Sequence, residues 1–404
     1  MKVLLEKFRS CFPSKKAIFA FELLGFIFLG LLFISLPLFT ERGSYSIIPI
    51  IFAGLFVVSD IVYAILRKHF DFPVFGIPLV CFLIYALMCT CITTQDWSSC
   101  KTLSLITVLC VFISSFLSQT KKPLWGLWLY AFSGFVFAAW LFVDSSSSGF
   151  DSIFGRFGSS FGDLNSIGFF LSTWLGSILA LIVFLRHPSK WALLILGLIA
   201  LGSVALTGSR GAMVCAYLEV VCFLFFILGK KKWWISLLIV VGVTAVGIII
   251  LSLIPSISLM VRFKEALSTI FGGSEYDAST ALRIEMIGDG LSLFKDNAIF
   301  GYGLGGFAAN TSYGTYSHAT LIELLVSTGL FGTALFLFAF GYLAYHLFKD
   351  DKGILSLILL SLLIPELFFG VVLYSKYFFV FMAIIGGFSS CFAVNLPKIR
   401  KKAN

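Results

Sequence analysis

The chain has 404 residues, 59% of them hydrophobic and only 12% charged, with a mean hydropathy of +1.02. Water-soluble domains carry about 25% charged residues, so this composition excludes a soluble enzyme and describes an integral membrane protein. The formal charge of +9 does not mark a nucleic-acid binder, because the basic residues are spread over the segments between apolar runs.

Crossing a bilayer takes about 20 apolar residues. Such runs recur about twelve times, at roughly 17–39, 45–66, 72–93, 102–118, 124–143, 164–185, 191–206, 212–228, 233–254, 319–347, 353–373 and 377–395. The expected class is therefore an all-α, polytopic membrane protein with about 12 transmembrane helices, folded as a single domain over 1–404. The first run follows a basic stretch but is too long for the apolar part of a cleaved leader, so it reads as an uncleaved span. Most of the nine cysteines fall inside apolar runs, where they act as small hydrophobes. Cys89, Cys91 and Cys100 lie near one inter-span segment, and their spacing matches no zinc motif.

Lysine and arginine placement sets the orientation. With the N-terminus inside, the basic clusters Lys15–Lys16, Arg67–Lys68, Lys121–Lys122, Lys230–Lys232 and Lys398–Lys402 all fall on the cytoplasmic side. Both termini are then cytoplasmic. The outer face receives the 144–163 segment with Arg156, the Thr207–Gly211 turn with Arg210, and the 255–318 loop.

That last loop is the one long polar stretch, and loops longer than about 15 residues are usually functional. It carries Arg262, Lys264, Glu265, Glu275, Asp277, Arg283, Glu285, Asp289, Lys295 and Asp296. Leu259, Phe263, Ala266, Leu267 and Ile270 recur at helical spacing, which predicts an amphipathic helix on the membrane surface, ended by Gly272 and Gly273. A second helix is expected from Ser279 to about Lys295. On it Glu285 and Asp289 share a face, whereas Arg283 lies about 200° round from Glu285 and points elsewhere. Gly301, Gly303, Gly305 and Gly306 then make a turn before His318. This turn spells GxGxxG without a βαβ context, so it is not a dinucleotide site.

Four motifs carry a family resemblance. Thr207-Gly208-Ser209-Arg210-Gly211, Leu282-Arg283-Ile284-Glu285-Met286, Gly301-Tyr302-Gly303-Leu304-Gly305-Gly306-Phe307, and His318-Ala319 followed by Gly329-Leu330-Phe331-Gly332 resemble landmarks of bacterial O-antigen ligases and polysaccharide polymerases. Arg156 and Asp163-Leu164-Asn165 are similar to an earlier loop of that family, so the resemblance covers about 156–332. The departure is Ala319, where the family usually has Asn, Ser or Gln.

The resemblance implies an inverting glycosyltransferase without metal or cofactor, in the bacterial cytoplasmic (inner) membrane with an extracytoplasmic active site. Its donor would be an undecaprenyl-diphosphate-linked oligosaccharide. Its acceptor would be a lipid-linked repeat unit (polymerase) or a lipid A core (ligase), and Ala319 tips the balance towards polymerase. The candidate catalytic residues are His318, Arg283 and Arg210, and the candidate substrate-binding residues are Arg210, Arg283, Arg156 and Asn165. Guanidinium forks match diphosphate oxygens, and Arg210 starts a helix, itself an anion site.

Plainer readings stand beside these. Arg210 could anchor a helix end in the headgroups, Arg283 could pair with Glu275 or Asp277, and Arg156 could be a solvated loop residue. Asn165 or Asp163 could cap the sixth span. Thr320 and Glu323 fit a capping box, which leaves His318 to deprotonate or orient an acceptor hydroxyl. The main rival function is a transporter or flippase, suggested by Glu219 within a span and by Pro365-Glu366 interrupting another.

Overall fold

Within a bilayer every backbone N–H and C=O must find its partner inside the protein, and uninterrupted apolar runs satisfy this as helices. The computed structural model describes residues 15–39, 43–93, 96–147, 157, 163–185, 190–229, 234–235, 237–239, 241–242, 278–389 and 391–395. Its first helices are α1 (Lys15–Phe39), α2 (Ile47–Arg67), α3 (Gly76–Ile92), α4 (Trp97–Thr120) and α5 (Pro123–Ser147). They continue as α6 (Leu164–Phe184), α7 (Lys190–Thr207), α8 (Arg210–Leu228) and α9 (Ala278–Asp296). The last are α10 (Gly306–Asn310), α11 (Thr320–Lys349), α12 (Gly353–Phe369) and α13 (Lys376–Gly386).

Among the described residues, eight of these helices are long and apolar enough to cross a membrane, and α3, α12 and α13 are shorter apolar helices. The protein is thus an all-α polytopic membrane protein. The expected ninth span at 233–254 and the amphipathic helix at 259–270 fall largely outside the described residues. The expected helix at Ser279 to Lys295 is present as α9.

One expectation is corrected. The last apolar run does not stay helical to residue 395, because α13 stops at Gly386. Residues Cys391–Asn395 form a strand, β2, antiparallel to β1 (His69–Pro73), with Phe72 opposite Phe392. Consecutive glycines, Gly386 and Gly387, favour ending the helix there. The ribbon joins the connection between α2 and α3 to the segment that follows α13.

The hub is α6, which packs against α5, α7, α8, α12 and α13. Its buried Trp174 donates its indole N–H to the Ala131 carbonyl (2.8 Å), and Tyr130 shares a 2.7 Å hydrogen bond with Thr173. Gly134 leaves the space the indole fills. Phe170 stacks edge-on to Tyr130 and Phe137, with Tyr377 of α13 beside it. The aromatic packing holds α6 and α13 in a fixed relation, and both begin at the site described below.

A second device positions the outer loop. Helix α11 is broken at Gly329 (φ 62°, ψ −168°). The break frees carbonyls one turn earlier, and the glycine-rich turn fills the gap. Tyr302 N–H donates to Val326 O (2.7 Å), Gly303 N–H to Ser327 O (2.8 Å), and Leu330 N–H to Ala298 O (2.8 Å). A Cβ on Gly301 would sit 2.6 Å from the backbone of residues 327–329, and one on Gly329 would collide with Ile299 O. The glycines are there because two backbones meet side to side. Met286 and Gly290 of α9 then pack on Ile322 and Phe307.

Gly329→Ala therefore meets both a left-handed backbone, costing about 1–2 kcal/mol by itself, and a steric clash. It is expected to lower the melting temperature of the purified protein by several degrees. Gly341→Ala, in the same helix with open space around it, is expected to be neutral or slightly stabilising. Equal melting temperatures for the two variants would contradict the account of the break.

Candidate active site

Where α12 ends, the first turns of α6, α8 and α13 and the residue before the cap of α11 surround a polar cavity of about 180 Å³. Its walls include Asp163, Asn165, Ser209, Gly211, Arg283, His318, Glu366 and Lys376. The N-terminal turns of α6, α8 and α13 border one small space with the residue before the α11 cap beside them, so the positive ends of their dipoles lie close to it. Asp163 and Ser375 already take N–H groups of α6 and α13.

Asp163 caps α6. Its carboxylate accepts from Asn165 N–H (3.0 Å), Ser166 N–H (3.3 Å) and the Ser166 hydroxyl (2.8 Å). Asn165 is thereby left free of capping, and its Oδ1 accepts a 3.2 Å bond from the Ser209 hydroxyl, tying α6 to the Thr207–Gly211 turn. The turn needs Gly208 for its left-handed backbone (φ 67°). Gly211 is tightly packed for another reason, since a Cβ there would lie 3.1 Å from Phe369 Cβ and 3.2 Å from the Glu366 carboxylate.

Arg210 is half-buried in the first turn of α8. Its neighbours Ser209 and Gly211 line the cavity, whereas Arg210 itself stands beside that lining. Arg283, also half-buried, projects from α9 into the cavity wall and donates from Nη1 to the Phe369 carbonyl at 3.4 Å, the last residue of α12. Glu285 and Asp289 are exposed and lie outside the lining, with Asp289 accepting a 2.8 Å bond from the Tyr313 hydroxyl. Arg156 lies outside the described residues.

His318 takes a left-handed backbone (φ 56°), a conformation that is uncommon for a residue with a side chain and that concentrates at functional positions. Its ring packs on Tyr316 with centroids 4.6 Å apart. Burial, and next the Arg283 guanidinium, push its pKa below the ordinary histidine range, against the opposing pull of Asp163. The imidazole is therefore neutral at physiological pH and offers a lone pair.

The expected capping box is corrected. The cap position of α11 is Ala319, with no side-chain bond. Thr320 reaches across the fold instead, donating to Gly370 O (2.8 Å) and accepting from Val372 N–H (2.9 Å). Glu323 accepts from Ser317 N–H at 3.0 Å. These bonds fix both sides of the cavity, the strand of chain before His318 and the 370–376 connection.

Arg283, His318 and Asn165 are thus brought together, with Arg210 adjacent. Sequence reasoning missed Glu366 as a site residue and gave Lys376 no role in the site. The faint signals were Pro365-Glu366 inside an apolar run and an outer lysine at the start of the last span.

A second, apolar groove of about 590 Å³ opens beside the first. It runs between α1, α2, α4 and α13 past Leu32, Ile50, Gly54 and Ile106, with Lys101 and Lys376 at its edge. Lys376 borders both spaces.

A comparison with curated proteins finds no match. Residues 195–337, a segment that includes Arg210, Arg283 and His318, match the family model Wzy_C, described as O-Antigen ligase.

Proposed function

We propose that the protein is a glycosyltransferase that moves a glycan from undecaprenyl diphosphate to an acceptor sugar hydroxyl at the outer leaflet of the bacterial cytoplasmic membrane. The observation that carries this reading is the cavity bordered by the first turns of α6, α8 and α13, by Arg283 and by Lys376, with neutral His318 in its wall. A diphosphate leaving group concentrates negative charge, and preorganised N–H groups and cations in a partly dry site stabilise that charge as it develops. On this reading Arg283 and Arg210 clamp the diphosphate and His318 holds the acceptor hydroxyl in line, attacking from the side opposite the leaving group. Arg156 and Asn165 contribute to substrate binding. The fixed cations take the part a metal plays elsewhere, so EDTA leaves turnover unchanged.

The orientation is supported by the parts of the chain that meet at the cavity. Residues 163–166, 209–211, 283, 316–318 and 366–377 all come from outer segments or the outer ends of spans by the positive-inside count. The apolar groove sharing Lys376 with the cavity suits a polyprenyl chain that stays in the hydrocarbon while its headgroup turns into the polar space.

We favour a repeat-unit polymerase, because Ala319 replaces the amide or hydroxyl residue usual beside the family's histidine. The description of the matched family favours the second reading, a ligase delivering glycan to lipid A core. Deleting the gene separates them. Single-repeat glycans accumulate if polymerisation is lost, and long carrier-bound chains accumulate if ligation is lost.

His318→Ala is expected to reduce transfer by at least about 100-fold with normal expression. Arg283→Lys and Arg210→Lys are each expected to lose about tenfold or more, since a point charge cannot reproduce a bidentate fork. Full turnover by the histidine variant would remove His318 from the mechanism, and unchanged turnover by an arginine variant would reduce that residue to an anchor. Gly54→Phe fills the apolar groove. It is expected to raise KM for a long-chain donor while leaving a short-prenyl donor unaffected, and equal effects on both donors would place the lipid chain elsewhere.

A further inference from the structure

We infer that Glu366 is a catalytic residue of this site, the carboxylate that takes the proton from the acceptor hydroxyl; the inference rests on the glycosyl-transfer reading above. Among the described residues, two carboxylates line the cavity, Asp163 and Glu366. Asp163 is occupied, accepting three hydrogen bonds from the start of its own helix. Glu366 is only 7% exposed, and among the described residues the hydrogen bond it accepts is a weak one from the Cys215 thiol, 4.0 Å from Oε1.

The surrounding backbone is shaped around this group. A Cβ on Gly211 would stand 3.2 Å from Oε1, and a Cβ on Gly370 would collide with Oε2. Glycine in the Ser209-Arg210-Gly211 motif thus makes room for the end of α12, with Phe369 Cβ and the Glu366 carboxylate both against it. The same last turn of α12 supplies the Phe369 carbonyl that accepts from Arg283, so one helix end carries both the carboxylate and the anchor of the diphosphate clamp. A carboxylate in the wall of a cavity that is to hold a diphosphate opposes donor binding and is costly to bury. Proton uptake during transfer gives it a reason to be there.

In the step, the acceptor oxygen forms a bond to the anomeric carbon. The bond from that carbon to the diphosphate oxygen breaks, and the electron pair leaves with the lipid diphosphate. The hydroxyl proton passes to Glu366, which becomes a neutral carboxylic acid and returns the proton to water once product leaves. His318 orients the same hydroxyl from the other wall.

The test is steady-state kinetics of the full chain in liposomes, with an undecaprenyl-diphosphate-linked glycan as donor. Glu366→Gln keeps shape and hydrogen bonding but cannot take the proton. It is expected to lower kcat by at least about 100-fold while donor KM stays within about threefold. A kcat within about threefold of wild type would overturn the inference, as would a loss confined to donor KM, which would make Glu366 part of the donor pocket instead. Should Glu366→Gln fail to fold, Glu366→Ala decides: rescue of its rate by added formate supports the role, and no rescue overturns it. Wild-type turnover alongside an active Glu366→Gln sinks this inference alone, whereas no turnover by wild type sinks the glycosyl-transfer reading and this one with it.

Discussion

Charge at the edge of a bilayer has few ways to be held. Water is scarce, mobile side chains lose entropy when ordered, and the low dielectric makes any unpaired group expensive. Here the N-terminal ends of α6, α8, α11 and α13 border one cavity. Their dipoles are fixed by folding rather than by the arrival of substrate, even though the Asp163 and Ser375 side chains hold some of the N–H groups. Arg283 and Lys376 add formal positive charge to the same wall. The rest of the architecture keeps those helix ends from drifting apart.

Three kinds of contact do that work, each recruiting distant sequence. Aromatic packing around Trp174, Tyr130 and Phe170 locks α6 to α5 and α13. Thr320 bonds to both sides of the 370–372 connection and so ties the start of α11 to the end of α12. The break at Gly329 lets the glycine-rich turn dock by backbone hydrogen bonds, which secures the loop that carries His318. A left-handed histidine at the end of that loop is tolerated because its surroundings over-determine it.

Much of this was legible in the chain. Hydrocarbon demands helices from long apolar runs, so α1, α2, α4 and α11 follow from composition alone. The early stop of α13 was not, because it depends on pairing between Cys391–Asn395 and a strand more than 300 residues away. The same contrast holds at the site. His318, Arg283 and Asn165 stood out through the motifs that carry the family resemblance, and they do line one cavity. Glu366 is embedded in an apolar run, and its meaning comes from Gly211 and Gly370 closing on its carboxylate. Thr320 resembled a local cap because its sequence neighbours fit one, whereas its real partners lie 50 and 52 residues ahead. Local spacing reports local structure well and says little about which distant backbone arrives.

The most direct measurement is a cryo-electron microscopy map of the full chain in lipid nanodiscs with a non-transferable prenyl-diphosphate sugar. The account requires the two phosphates to sit in the cavity between α6, α8, α11 and α13, with oxygens about 3 Å from the Arg283 guanidinium, and with the cavity on the face away from the β1–β2 ribbon. Density for the headgroup at another place, or on the ribbon's own face, would contradict it.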